Sequence, residues 1–134
     1  MTALLFALTA CSALDTDCEE LSTTLTGDLE TDLVGTWDGY GTDSRILYVF
    51  EEGGDWRWVE PPNAYAPSGL EASGTWEIIE GNELELTQDG SSWSLWVYVG
   101  ERTLETWYSN PDATDSGQPW ASEWTRSECS GYGF

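Results

Sequence analysis

Carboxylates and cysteines are the side chains through which this chain could do chemistry. The sequence contains 25 Asp and Glu residues, three Cys and no His. Without His, neither a Ser-His-Asp nor a Cys-His nucleophilic site can be built in its usual form, and a His-ligated zinc site is excluded as well. Two carboxylates could act together in a glycosidase, but a chain this acidic marks out no particular pair. We therefore expect a protein that is not an enzyme and that contains neither a metal nor a cofactor.

The first cysteine follows an apolar segment near the N-terminus. Ala3–Ala10 reads ALLFALTA, which is too short to span a membrane as a helix and suits the apolar region of a secretory signal. The tetrapeptide Leu8-Thr9-Ala10-Cys11 resembles the lipobox of bacterial lipoproteins, although no Lys or Arg precedes it. The resemblance implies cleavage before Cys11 and a diacylglycerol on its sulfur, so that residues 1–10 are a signal segment. The alternative is a plain apolar segment beside an ordinary cysteine.

If Cys11 is lipidated, two cysteines remain, Cys18 and Cys129. Ser12 follows Cys11, which in Gram-negative lipoproteins is consistent with transport to the outer membrane, so we expect an exported protein at the outer membrane or the cell surface. Cys18 and Cys129 would then lie in a compartment that permits disulfides, just outside the two ends of the strand-rich region. A bridge between them would stabilise the fold by up to about 4–5 kcal/mol. Two free thiols are the alternative.

The charge balance limits the partners. The chain has four Arg, no Lys and a net charge of -21. Such a surface repels nucleic acid and anionic lipid headgroups alike, so a lipid anchor is the expected route to a membrane. The composition also suits a saline habitat, where salt screens self-repulsion, or simply a soluble surface without further meaning. The oligomeric state is left open.

The chain is predicted to form one domain with flanking segments. Residues 11–32 are polar and acidic and predict a solvated tether behind the lipidated cysteine. Residues 33–127 contain short runs rich in aromatic and β-branched residues, separated by turn residues, and residues 128–134 form a tail. The predicted strands are Leu33–Tyr40, Arg45–Phe50, Asp55–Glu60, Glu71–Glu80, Glu83–Gln88, Ser92–Val99, Arg102–Ser109 and Trp120–Ser127.

Alternation within these runs supports a sheet with one apolar face. In one run Trp93, Leu95 and Val97 share a face, and in another Leu84 and Leu86 do so. Short runs at regular spacing with hairpin-length connections favour an up-and-down meander. Closing the first strand on the last removes both open edges. The expected fold is therefore an all-β, antiparallel, up-and-down barrel of about eight strands.

Three short motifs resemble those of lipocalin-like domains in bacterial lipoproteins. They are Leu33-Val34-Gly35-Thr36-Trp37, Gly74-Thr75-Trp76 and Trp124-Thr125-Arg126. The resemblance implies that Arg126 packs across Trp37 and closes one end of the barrel, in a cation–π contact of roughly 0.5–2 kcal/mol. It also implies an interior that can hold a small hydrophobic ligand, or a domain that contacts an envelope partner.

The tryptophans supply the candidate binding residues. Trp56, Trp58, Trp76 and Trp93 could line a hydrophobic site, and the alternative is ordinary core packing. A second set, Trp96, Tyr98 and Trp107, falls on the opposite parity and could be exposed. Two alternative functions follow: a carbohydrate-binding β-sandwich that uses exposed Trp, and a structural surface lipoprotein with no ligand.

Overall fold

The protein forms a closed, eight-stranded, antiparallel up-and-down barrel. The computed structural model describes residues 19–40, 45–60, 62, 67–111 and 121–128. The strands are β1 Gly35–Tyr40, β2 Arg45–Glu51, β3 Asp55–Glu60, β4 Leu70–Glu80, β5 Glu83–Gln88, β6 Ser91–Val99, β7 Thr103–Trp107 and β8 Ser122–Ser127. One short helix, α1 Leu29–Leu33, precedes them. The expected lipocalin-like barrel is confirmed.

Each strand pairs with its neighbour in sequence, and the last strand pairs with the first. In the closing pair, Trp37 lies opposite Arg126 and Asp38 opposite Thr125. Closure satisfies the backbone groups that an open sheet would leave at its edges. A β-sandwich would place the first and last strands in separate sheets or leave them unpaired, so the sandwich alternative does not fit this chain.

The barrel interior is packed with aromatic and aliphatic side chains. Residues that alternate along each strand point inward, as the period of two requires. The buried core comprises Leu33, Trp37, Ile46, Tyr48, Phe50, Trp56, Trp76, Leu84, Leu86, Leu95, Val97, Leu104 and Trp124. A side chain of this kind stabilises the fold by about 1.5–3 kcal/mol when it is fully buried.

One end of the barrel, which we call the capped end, is covered by α1 and by the turns at residues 52–54, 81–82 and 100–102. Asp28 caps α1 by accepting the backbone N–H of Thr31 at 3.2 Å. The helix places Leu33 against the core, where it is fully buried. Because Leu33 belongs to the helix, β1 begins at Gly35 rather than at the predicted Leu33.

The segment before α1 also lies against the capped end. The backbone N–H of Leu21 donates to the carbonyl of Arg126 at 2.9 Å, and that of Thr23 donates to the carbonyl of Glu101 at 3.0 Å. We call residues 19–23 the strap. The described part of the predicted tether thus differs from expectation, because its backbone finds partners on β8 and on the turn before β7.

The other end, which we call the open end, is where β1, β3, β5 and β7 finish and where β2, β4, β6 and β8 begin. Cys11, Cys18 and Cys129 lie outside the described residues, as do the signal segment and most of the C-terminal tail. No helix among the described residues is long and apolar enough to cross a membrane.

Candidate binding site at the open end of the barrel

A cavity of about 400 Å³ opens at the open end. Its walls come from the end of β1, the start of β2, the end of β3 and the start of β8. The lining residues are Gly39, Ile46, Trp58, Ala121, Ser122, Glu123 and Trp124. Small-molecule sites usually have about 300–1,000 Å³ of space and mostly apolar walls with a few polar groups. The volume of this cavity falls within that range, and its walls combine apolar with polar residues.

Two indoles form the apolar part of the cavity. The rings of Trp58 and Trp124 meet edge to face, with centroids 5.5 Å apart. The indole N–H of Trp58 donates to Glu60 Oε1 at 3.1 Å, and that of Trp124 donates to Thr106 Oγ1 at 3.0 Å. Since both polar groups already have partners, the rings offer the cavity an apolar surface.

Tyr48 lies beside both indoles. Its ring centroid is 5.2 Å from that of Trp58 and 5.3 Å from that of Trp124, in edge-to-face contacts. Burial raises the pKa of the Tyr48 hydroxyl far above its ordinary value. The phenol is therefore neutral at any physiological pH, and it adds no charge near the cavity.

Gly39 is required by the position of Trp124. A Cβ atom at Gly39 would lie 2.6 Å from Cε3 of the Trp124 ring, well inside van der Waals contact. The indole therefore packs directly on the backbone of β1. Sequence analysis missed this glycine, because nothing in a single glycine shows which side chain lies across it.

The cavity carries negative charge. Glu123 is exposed and lines the cavity, and none of the described lining residues is a cation. Nearby on the outer face, Asp38 and Arg45 form a bidentate ion pair, in which the two opposite charges neutralise each other. A ligand that enters the cavity thus meets the exposed residue Glu123 in a strongly anionic protein.

The four tryptophans proposed as lining residues lie at three different levels of the barrel. Trp58 lines the open-end cavity. Trp56 and Trp93 pack edge to face in the core, with centroids 5.8 Å apart. Trp76 lies at the capped end, where its indole N–H donates to the backbone carbonyls of Asp55 and Glu51 at 3.0 and 3.3 Å. The structure therefore brings one of the four to the cavity.

Trp56 lies deeper in the barrel and is 3% exposed. It lies opposite Gly74 in the register of β3 and β4. A Cβ atom at Gly74 would be 2.9 Å from the indole nitrogen and 1.8 Å from the carbonyl oxygen of Thr87. Gly74 thus makes room for both groups. In the described structure, the indole N–H of Trp56 has no hydrogen-bond partner.

The pair of Trp37 and Arg126 lies at the opposite, capped end. The guanidinium carbon of Arg126 is 4.2 Å from the centroid of the Trp37 ring. The indole N–H of Trp37 donates to the carbonyl of Leu33 at 3.0 Å. These contacts join α1, β1 and β8, so this pair closes the barrel rather than contacting a ligand in the open-end cavity.

The aromatic residues of opposite parity form a cluster on the outer face. Trp96 lies opposite Trp107 in the register of β6 and β7. Tyr98 meets Trp107 edge to face at 5.1 Å. Trp107 is only 9% exposed, so the cluster lacks the open pair of indole faces that a sugar-binding platform would need. Its contacts are those of cross-strand pairs that stabilise a sheet.

Neither acidic clusters nor similarity to known proteins adds a further assignment. Within the described ranges, no three Cys, Asp or Glu side chains gather closely enough to hold a metal ion. Comparisons of the chain with protein families, with curated proteins and with solved structures gave no match. The function must therefore be argued from the geometry of the barrel.

Proposed function

We propose that this protein is an exported, lipid-anchored lipocalin-like domain that binds a small hydrophobic ligand at the open end of its barrel. The observation that supports it most directly is the cavity of about 400 Å³ walled by Trp58, Trp124 and Ile46. Trp58 is half-buried beside the cavity. Covering such apolar surface with a ligand gains about 25 cal/mol per Å².

The charge of the site selects among hydrophobic ligands. An anionic ligand about 5 Å from the Glu123 carboxylate would lose about 1–3 kcal/mol relative to a neutral one. The net charge of -21 adds a repulsive field over the whole surface. The proposed ligand is therefore a neutral or cationic apolar molecule, and a fatty acid carboxylate is disfavoured.

The proposed anchor would orient this site. Residues 12–18 separate Cys11 from the strap, and a segment of that length spans at most about 25 Å. The strap lies at the capped end, where it is bonded to Arg126 and Glu101. A lipid on Cys11 would hold the capped end nearest the membrane, and the open end would face away from it.

Two fluorescent probes of different charge test the binding site. Neutral phenylnaphthylamine should bind the purified protein with enhanced fluorescence, and anionic anilinonaphthalene sulfonate should bind about tenfold more weakly or worse. Glu123→Gln should reduce the difference in affinity between the two probes, because it should strengthen the binding of the anionic probe only. Glu77→Gln, which removes an exposed carboxylate from β4 outside the cavity, is the matched control and should leave the ratio unchanged.

A cavity-filling variant identifies where the probe binds. Ala121 is exposed and lines the cavity, so Ala121→Trp should weaken phenylnaphthylamine binding by about tenfold or more without unfolding the barrel. Ile79→Trp places the same side chain at an exposed position outside the cavity and should not affect binding. Equal binding by both variants, or no binding by the wild type, would reject the ligand site and favour a purely structural domain.

The anchor has its own test. Cells that express the full chain are labelled with a radioactive fatty acid, and the wild type is compared with Cys11→Ser. The proposal requires label on the wild type and none on the variant. Equal labelling of both proteins, or none on either, would reject the lipid anchor and leave the probe experiment unaffected.

A further inference from the structure

The outer surface from the C-terminal half of β4 round to β8 carries carboxylates and no cation; we call it the acidic face. Alternate residues of these strands point outward. The strands contain one basic residue, Arg126, which is buried at the capped end. Outward glutamates of neighbouring strands lie directly opposite one another in three pairs, Glu77–Glu85, Glu80–Glu83 and Glu105–Glu123.

Aromatic side chains lie between these carboxylates. In the register of the sheet, Trp96 has Glu83 on one side and Trp107 on the other, and Tyr98 lies opposite Glu105. Tyr98 is 43% exposed, Trp96 is half-buried and Trp107 is almost buried. The acidic face thus presents the ring surface of Tyr98, and part of that of Trp96, next to carboxylate oxygens.

The rest of the outer surface treats its carboxylates differently. On β1 to β3 and at the start of β4, the carboxylates of Asp38, Glu51 and Glu71 have arginine partners. On the acidic face, facing glutamates repel each other, and no basic residue of those strands lies between them. A cation placed there would replace repulsion with attraction, so this face is suited to a cation from outside the chain.

A guanidinium fits both features of the acidic face. Its planar fork donates two parallel hydrogen bonds to a carboxylate and stacks on an aromatic ring, whereas an ammonium is a point charge. Five strands about 4.8 Å apart span roughly 20 Å, which is the length of an extended segment of about six residues. We propose that the acidic face binds an arginine-rich segment of a partner protein.

Charge also decides between the possible occupants. Nucleic acid and anionic lipid are repelled by a protein of net charge -21. A second copy of this chain offers few cations, because Arg126 is buried and Arg45 and Arg57 form ion pairs, which leaves the exposed Arg102. The partner is therefore a different, basic protein. The proposal does not depend on the open-end cavity, whose indoles lie on the inner face of the barrel.

Two labelled peptides, hexa-arginine and hexa-lysine, test the kind of cation. Their binding to the purified protein is measured by fluorescence anisotropy at low ionic strength. Hexa-arginine should bind at least about threefold more tightly, because the guanidinium stacks on the exposed ring. Tyr98→Val should reduce this preference, and Tyr108→Val, at an exposed tyrosine beyond the end of β7, should not. Equal affinity of the wild type for both peptides, or no binding of either, would overturn the proposal.

A matched pair of double variants locates the binding surface. Glu85→Gln with Glu105→Gln removes one charge from each of two facing pairs and should weaken hexa-arginine binding about fivefold or more. Glu30→Gln with Glu52→Gln removes the same charge from exposed positions at the capped end and should weaken it less than about twofold. Circular dichroism checks the fold of both. Equal weakening would mean that the peptide responds to net charge alone, and the acidic face would not be its site.

A comparison of salts separates a peptide from a metal ion as the occupant. Calcium chloride and sodium chloride are added at equal ionic strength to the complex of the wild type with hexa-arginine. Similar displacement by the two salts is expected, because both screen the same charges. Displacement by calcium far below the ionic strength at which sodium acts would assign the facing glutamates to a divalent cation and reject the peptide.

Discussion

Arg126 is a buried cation that the capped end stabilises from several sides. Its guanidinium lies over Trp37 and donates to the backbone carbonyls of Asp32, Gly100 and Glu101 at 3.1, 3.2 and 3.1 Å. Burial lowers the pKa of Arg126, and the nearby charge of Asp32 opposes this shift. The planar, forked group can reach three carbonyls and an aromatic face at once, which an ammonium cannot.

Replacement of Arg126 by lysine should therefore destabilise the barrel. Arg126→Lys keeps the charge but loses the stacked geometry and at least one hydrogen bond of a charged group, so we expect the free energy of unfolding to fall by about 1–3 kcal/mol. Urea unfolding followed by tryptophan fluorescence measures it. Arg102→Lys, an exposed arginine on the neighbouring turn, is the control; equal midpoints for the two variants would contradict the assignment.

Asp32 links the loop before α1 to the capped end. The backbone N–H of Thr26 donates to Asp32 Oδ1 at 2.8 Å, its hydroxyl donates to the same oxygen at 2.8 Å, and the N–H of Gly27 donates to Oδ2 at 3.0 Å. The Thr26 backbone bond is the main cause that lowers the pKa of Asp32, with smaller help from the Thr26 hydroxyl, Gly27 and Arg126, against the opposing effect of burial.

A lowered carboxyl pKa makes stability depend on acid. The contribution of Asp32 is fully present above the ordinary pKa of about 3.9 and is lost as pH falls through the lower value of the folded state. Asp32→Asn should thus be less stable than the wild type at pH 7, and the gap should shrink as the pH falls below about 4. Urea midpoints at several pH values measure it. A gap that is constant with pH would contradict the argument, and Thr26→Val should give a smaller loss with the same trend.

The residues of the candidate site differ in how far the sequence reveals them. Trp124 is two residues before Arg126, so the period of two places both on the inner face, and this signal could have identified it. The height of a residue along the barrel is a different matter, because it depends on register and strand stagger. Trp58 and Trp76 share the inner face but lie at opposite ends, and no pattern in either strand shows this.

At the scale of elements, the strands were predictable and the helix was not. β3 and β5 have the predicted bounds, and the other strands differ from prediction by a few residues at their ends. Alternating apolar residues and turn residues determine strands locally. The five-residue helix Leu29–Leu33 is too short to show a helical period, and its one local signal was the capping residue Asp28.

The outer face of the sheet places like charges directly opposite one another. Three cross-strand pairs each join two glutamates, and like charges in such positions are destabilising. The pairs are Glu77–Glu85, Glu80–Glu83 and Glu105–Glu123. The bonds that hold β4, β5, β7 and β8 together therefore act against local repulsion.

Reversing one of these charges should stabilise the barrel. Glu77→Lys converts the Glu77–Glu85 pair into an opposite-charge pair, for an expected gain of about 0.5–1 kcal/mol in the free energy of unfolding. Glu52→Lys makes the same charge change in the turn between β2 and β3, where no strand lies opposite. A larger rise in Tm for Glu77→Lys than for Glu52→Lys would measure the contribution of the cross-strand pair. Equal rises would mean that the change in net charge alone is responsible.

On the scale of the whole molecule, the cations are too few to balance the carboxylates, and most of them are buried or already form ion pairs. The chain has four arginines and 25 acidic residues. Arg126 is buried at the capped end. Arg45 pairs with Asp38, and Arg57 pairs with Glu51 and Glu71. Most of the net charge of -21 therefore comes from surface carboxylates. These repel one another, which destabilises the folded state.

The stability of the barrel should accordingly rise with ionic strength. The Debye length falls from about 30 Å at 0.01 M to about 3 Å at 1 M, which is shorter than the spacing between strands, so even cross-strand repulsion becomes screened. We expect Tm to increase steeply between these limits, with most of the rise below about 0.2 M. In that range sodium chloride and sodium perchlorate should act alike, because screening depends on ionic strength and not on the anion. A Tm that is flat in both salts would mean that the surface is already tolerant of its charge and would remove the physical case for a saline habitat; a steep rise would mean that the fold needs salt to reach its full stability.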